Sequence, residues 1–189
     1  MKQEIKNWLV LAAGIHATAV DKGWWPDSVN DRNKGEAIAL MHSELSEALE
    51  SLRAGNPPDD KCPEYDGVTV EFADVIIRIM DFSHAFKYDV AGPLELWTPP
   101  SFCEVELKRN VADQIAHAHY FLSLAYEEIS ENQKYQIGNP SIMTGYYLAG
   151  CVKAILLVAD REGYKVLQAI DAKSVMNKGR AYKHGGKAF

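Results

Sequence analysis

The chain repeats itself, and that constrains its fold more than any other feature. When Asp31–Leu52 is laid over Lys108–Ile129, Arg32, Asn33, Ile38, Ala39, His42, Leu45, Ser46, Ala48 and Glu50 each meet an identical residue. The same offset pairs Val75 with Val152, with no gap in between. An apolar stripe at three- and four-residue steps would match Ile38 with Ile115, or Leu45 with Leu122, in any two amphipathic helices. It does not account for the shared Arg-Asn and His positions. Self-similarity of this kind predicts two copies of one supersecondary unit, packed as the intrachain version of a two-fold dimer.

Each copy reads as a helical hairpin. From Lys34 to Leu52 the apolar residues Ile38, Met41, Leu45, Ala48, Leu49 and Leu52 recur at helical spacing, and Gly55-Asn56-Pro57-Pro58 ends the run. A second helix is expected over Val68 to about Tyr88, with Gly92-Pro93 beyond it. A loop over Leu94 to Ser101, with its Pro-Pro pair, closes the first half. Helices are then expected over Glu104–Ser130 and Ser141–Glu162, and shorter ones over Gln3–Val20 and Tyr164–Asn177. No alternating strand pattern longer than a few residues occurs. The fold class is therefore all-α, a helical bundle built from two pseudo-repeated hairpins at 31–91 and 104–165. Its 189 residues suit a single domain, 1–189, with a basic tail at 177–189.

Composition removes several function classes. Hydrophobic residues at 47% and charged ones at 24% suit a globular core and exclude wholesale disorder. With 20 Lys plus Arg against 26 Asp plus Glu, the net charge of −6 argues against a general nucleic-acid partner. Cys62, Cys103 and Cys151 are too scattered for a disulfide framework or a zinc site. The longest apolar runs, such as Ala154–Ala159, are far short of the ~20 residues of a membrane span. The N-terminus carries mixed charges without a cleavage pattern, so a cytoplasmic protein with no membrane partner is expected.

The chemistry lies in four acids. Glu44 and Glu47 on the first acidic helix, and Glu71 and Asp74 on the second, are each three residues apart, hence one turn apart on one face. In an antiparallel hairpin they can converge. Four carboxylates that close raise one another's pKa unless a counter-charge is present. A hard divalent cation resolves the conflict, and Mg²⁺ suits an oxygen-only ligand set completed by water and substrate phosphates. A di-iron site would want Glu-x-x-His, which neither Glu44 nor Glu71 begins. Under the repeat, Glu44, Glu47, Glu71 and Asp74 align with Phe121, Leu124, Leu148 and Cys151. Positions that are apolar when not acidic are expected to face the bundle interior, where carboxylates without a partner are costly.

E-x-x-E at Glu44 and Glu47, then E-x-x-D at Glu71 and Asp74, resembles the MazG-like all-α nucleoside triphosphate pyrophosphohydrolases, a superfamily that includes the dimeric dUTPases and dCTPases. The resemblance extends to Asn33-Lys34 and to the tail from Asn177 to Lys187. It implies hydrolysis between the α- and β-phosphates of a (deoxy)nucleoside triphosphate substrate, in a house-cleaning or pool-balancing role. Glu44, Glu47, Glu71 and Asp74 would hold Mg²⁺, with Mn²⁺ able to substitute, and Glu47 is the choice for general base. Lys34, Asn177, Arg180 and Lys187 are the candidates for phosphate contacts. In the related dCTPases a His and a Trp face the base, and His16 with Trp25 has a similar separation. The superfamily habit also implies a homodimer, although the degenerate second half here departs from that pattern by standing in for a partner subunit. Two alternatives stay open: a non-catalytic helical interaction protein, and a pyrophosphohydrolase of another substrate such as phosphoribosyl-ATP.

Overall fold

The computed structural model describes residues 8–96, 110–135 and 141–186. Cys103, Lys187 and the expected helix start at Glu104 lie outside them. The described residues are all-helical, and their only β pairing is an isolated bridge between Pro58 and Asp66. Helix α1 spans Trp8–Asp21, α2 Lys34–Arg53, α3 Gly67–Phe86, α4 Ala91–Leu96, α5 Val111–Tyr135, α6 Ser141–Glu162, α7 Val166–Gly179 and α8 Lys183–Gly186, with a 3-10 turn at Val29–Asp31.

Local chemistry sets the boundaries. Asn33 caps α2, its side-chain oxygen accepting from the Gly35 and Glu36 N–H groups at 2.9 and 3.3 Å. Asp66 caps α3 by accepting from the Thr69 N–H at 2.9 Å. Lys87, left-handed at φ 61°, ends α3. The expected loop after α3 instead begins with α4. Pro93 sits in its first turn, where a missing N–H costs nothing, and Asp89 accepts from the Gly92 N–H at 2.9 Å.

Helix α3 is the axis of the molecule. It packs against α1, α2, α6 and α7, while α2 also packs on α5, and α5 on α6. From Gly67 to Ser83 every residue is buried except Glu71, Asp74, Arg78 and Asp81. These four fall at steps of three, four and three, so a helix surrounded by apolar neighbours keeps one charged stripe. Helix α6 is equally apolar: Ile142–Glu162 reaches a mean hydropathy of 1.7, enough by length and composition to cross a membrane, yet 67% of that window is buried against the rest of the protein. Reading contiguous runs overlooked it, because Thr144, Gly145 and Lys153 interrupt them. At Gly150 a Cβ would lie 2.5 Å from the Phe121 ring, so glycine lets α6 close on α5.

The repeated residues do the same work twice. Asn110 accepts from the Asp113 N–H at 2.8 Å, as Asn33 does for α2. Ser46 and Ser123 donate to the backbone carbonyls of His42 and His119, both at 3.0 Å. His42 and His119, 77 positions apart, meet each other: their rings stack 5.0 Å apart at 8°, with the Nδ1 atoms at 2.7 Å. A residue that touches its own counterpart is what an isologous contact between two copies of one unit requires.

That contact has a pH signature. One Nδ1 must donate to the other, so both rings cannot be protonated. Burial, followed for His42 by the charge of His119, holds the pKa of both below the usual 6.5. A depressed folded-state pKa contributes stability that is present above the unfolded value and lost as pH falls below it. The histidine contribution is therefore lost between pH 7 and 5, and the melting temperature of His42→Phe is expected to rise relative to that of wild type as pH falls across that range; an unchanged difference between the two proteins would remove the histidines as its source.

Candidate functional site

The charged stripe of α3 forms the floor of a cavity of about 790 Å³, walled by α1, α2, α7 and the 22–32 loop. Glu44, Glu47, Glu71 and Asp74 all line it, as do Trp25, Asn177 and Arg180. Fold and cavity thus bring together seven of the ten residues named from the sequence (Glu44, Glu47, Glu71, Asp74, Trp25, Asn177, Arg180).

The acids are not equivalent. Carboxylate oxygens of Glu44, Glu47 and Glu71 lie within 4.8 Å of one another. Glu44 is buried, and its Oε1 accepts from Arg78 through Nε at 2.7 Å and a terminal nitrogen at 2.6 Å. Glu47 is exposed on the cavity side and accepts from the Ser43 hydroxyl at 3.0 Å. Glu71 lies between them. Burial, its hydrogen bond to Glu44 and the charges of Asp74, Glu44 and Glu47 push its pKa up to about 9, so at neutral pH it carries a proton.

Asp74 departs from the expected four-fold convergence. Its Oδ2 is held at 2.6 Å by the Nζ of Lys173, a buried lysine on α7, outside the cluster of three. Burial raises the Asp74 pKa, and Lys173 opposes the rise. The donor set still fits a hard divalent cation. Three oxygen ligands converge with a single cation, Arg78, on Glu44, and a dication would relieve the mutual repulsion that raises the Glu71 pKa.

The phosphate candidates divide. Asn177 and Arg180 line the cavity from α7 and its end, together with Lys178 and Ser174. Asn177 Oδ1 and Ser174 Oγ are buried without a hydrogen-bond partner, one helical turn apart. Lys34 is elsewhere. Its Nζ reaches the Tyr88 hydroxyl at 3.2 Å and lies over the Phe86 ring at 4.3 Å, and the cavity wall does not include it. Burial lowers its pKa. The sequence could not reveal this contact, which spans 54 positions. The tail is anchored rather than frayed at its start: the Lys183 N–H donates to the Lys22 carbonyl at 2.9 Å, and the Tyr182 ring fills the space a Cβ on Gly23 would need.

Further along the charged stripe of α3, Asp81 joins the two base candidates. Its Oδ1 accepts from His16 Nδ1 at 2.6 Å and from Trp25 Nε1 at 2.9 Å, and its Oδ2 from the same indole at 3.0 Å. His16 stands edge-on to Trp25, ring centroids 5.0 Å apart, behind the cavity wall. Burial raises the Asp81 pKa, with His16 and Trp25 opposing the rise. Sequence reading missed Arg78, Asp81 and Lys173. The first two continue the Glu71–Asp74 spacing and were legible as such; Lys173, four residues before Asn177, shows only in the fold. Comparison with protein-family models, with curated proteins and with solved structures finds no match.

Proposed function

We propose that the protein is an Mg²⁺-dependent nucleotide pyrophosphohydrolase of MazG-like architecture, cleaving a (deoxy)nucleoside triphosphate to monophosphate and pyrophosphate. The single observation behind this reading is the cavity that brings three converging carboxylates together with the cationic and unsatisfied polar groups of α7. The motif order E-x-x-E then E-x-x-D adds the reaction class.

Glu44, Glu47 and Glu71 would hold the metal, with Asp74 joining on release from Lys173. When bound, Mg²⁺ or Mn²⁺ supplies charge neutralisation at the phosphates and a more acidic water. The protein's own groups do the rest. Glu47, the most accessible of the three, takes the proton of the water that attacks the α-phosphorus, and the bond from that phosphorus to the bridging oxygen breaks, releasing pyrophosphate. Arg180 and the Asn177 amide orient phosphate oxygens, and Trp25 bounds the base end.

We read the two halves as a duplicated hairpin in which the second keeps the fold and lost the acids. Its support is the paired use of Asn33 and Asn110, of Ser46 and Ser123, and of His42 and His119. The counterparts of Glu71 and Asp74, Leu148 and Cys151, are fully buried. A homodimer in solution belongs to the same proposal and is read by light scattering.

The test is a panel of canonical and deaminated nucleoside triphosphates with Mg²⁺, resolving monophosphate, diphosphate, pyrophosphate and phosphate, with Glu47→Ala alongside. Monophosphate plus pyrophosphate, lost in the variant, is the expected result. One observation favours the non-catalytic alternative: Arg78 and Lys173 already give Glu44 and Asp74 counter-charges without a metal. Absence of turnover across the panel, with no metal-dependent rise in melting temperature, would decide for it.

A further inference from the structure

We propose that Asp81 selects the nucleobase, favouring bases that carry an exocyclic amino group over those that carry a carbonyl in its place. The inference rests on the nucleotide reading above and deepens it. An ionised carboxylate offers about four lone-pair sites. In Asp81, Oδ1 spends two on His16 and Trp25, and Oδ2 one on Trp25. One acceptor site is left, on Oδ2. Asp81 lines the cavity and its side chain is 21% exposed, so it retains an open face on the cavity side.

Position agrees with chemistry. Asp81 is seven residues beyond Asp74 and ten beyond Glu71 on the same stripe of one helix, hence about 10–15 Å along its axis. That is the reach from a phosphate to the far edge of a base in an extended nucleotide. The two donors that hold Asp81 also fix it. Trp25 cannot release the carboxylate without losing its own indole partner, and the Trp25 ring is itself braced by Phe86 at 5.7 Å and by the Arg32 guanidinium at 6.0 Å. A fixed, charged acceptor gains a hydrogen bond from the amino group of cytosine, adenine or guanine. It meets a carbonyl lone pair at the corresponding edge of uracil or thymine, where a buried acceptor would face another acceptor.

The experiment measures binding, by calorimetry with Mg²⁺ present, of dCMP, dAMP, dGMP, dUMP and dTMP to the full chain. An amino nucleotide is expected to bind about tenfold more tightly than dUMP or dTMP. In Asp81→Asn, which keeps an acceptor for Trp25 and turns a donor to the cavity, that ratio is expected to vanish or reverse. An unchanged ranking in a variant with the wild-type circular dichroism spectrum would overturn the role of Asp81 while leaving the nucleotide reading intact. Absence of binding for every nucleotide would overturn both. Should Asp81→Asn fail to fold, the wild type decides alone: the analogue of the tightest binder with hydrogen in place of the amino group is expected to bind about tenfold more weakly, and equal binding would overturn the inference.

Discussion

Glu71→Gln is expected to stabilise the metal-free protein and to abolish its response to metal. The folded-state pKa of Glu71 stands at about 9, above the ordinary 4.5, so the folded chain holds a proton that the unfolded chain releases over most of that range. With more protons bound in the native state, stability falls as pH rises from about 4.5 toward 9. Glutamine is neutral throughout and keeps the size of the side chain. At pH 8 and without divalent ions, the variant is expected to melt at least about 2–4 °C higher than wild type, the shift that ~1 kcal/mol produces in a chain of this length. Its melting temperature should not move with added Mg²⁺, whereas the wild type should rise with concentration. Turnover should fall by at least about a hundredfold, because several kcal/mol of charge stabilisation leave with the ligand and each ~1.4 kcal/mol is a factor of ten. A metal-free variant that melts below wild type would show that Glu71 is ionised and paired in the resting protein.

Leu45→Ala and Leu122→Ala should cost the same and mean different things. Both leucines are fully buried, at equivalent positions of α2 and α5. Removing either side chain is expected to cost about 2–5 kcal/mol, lowering the melting temperature by roughly 10 °C. Leu45 adjoins Glu44, so its loss should also weaken the metal-dependent rise. Leu122 adjoins Phe121, which stands where Glu44 stands in the first half, and its variant should keep the rise in full. Equal loss of the metal response in both would place the site across the two halves rather than in the first alone.

The parts of the fold that follow a period were legible in the sequence. The periodicity places α6 at Ser141–Glu162, where the structure has it, and ends α2 one residue short of Arg53. What periodicity could not supply was the partner of a polar group. His42 and His119 could be paired as repeats but not as a stack. In the sequence Asn33 beside Lys34 reads as part of a motif, whereas its work is to cap α2, and the lysine next to it points to Tyr88. The acids were found because they interrupt positions that are otherwise apolar. Lys173 escaped the same logic: a single lysine at the end of the chain looks like surface until its partner on α3 is known.

The Lys173–Asp74 pair makes the last long helix a reporter. Among the described residues helix α7 meets the carboxylates through this buried ion pair, so a ligand that claims Asp74 Oδ2 must release Lys173 from it. The release removes an anchor from 166–179 while Val166, Ala169 and Ile170 stay buried in the core. Amide exchange along α7 should consequently change on occupancy of a metal site whose three converging carboxylates all lie on other helices, with the largest change in the turn around Lys173. The chemistry of the site would then be audible from outside it, through the breathing of a helix.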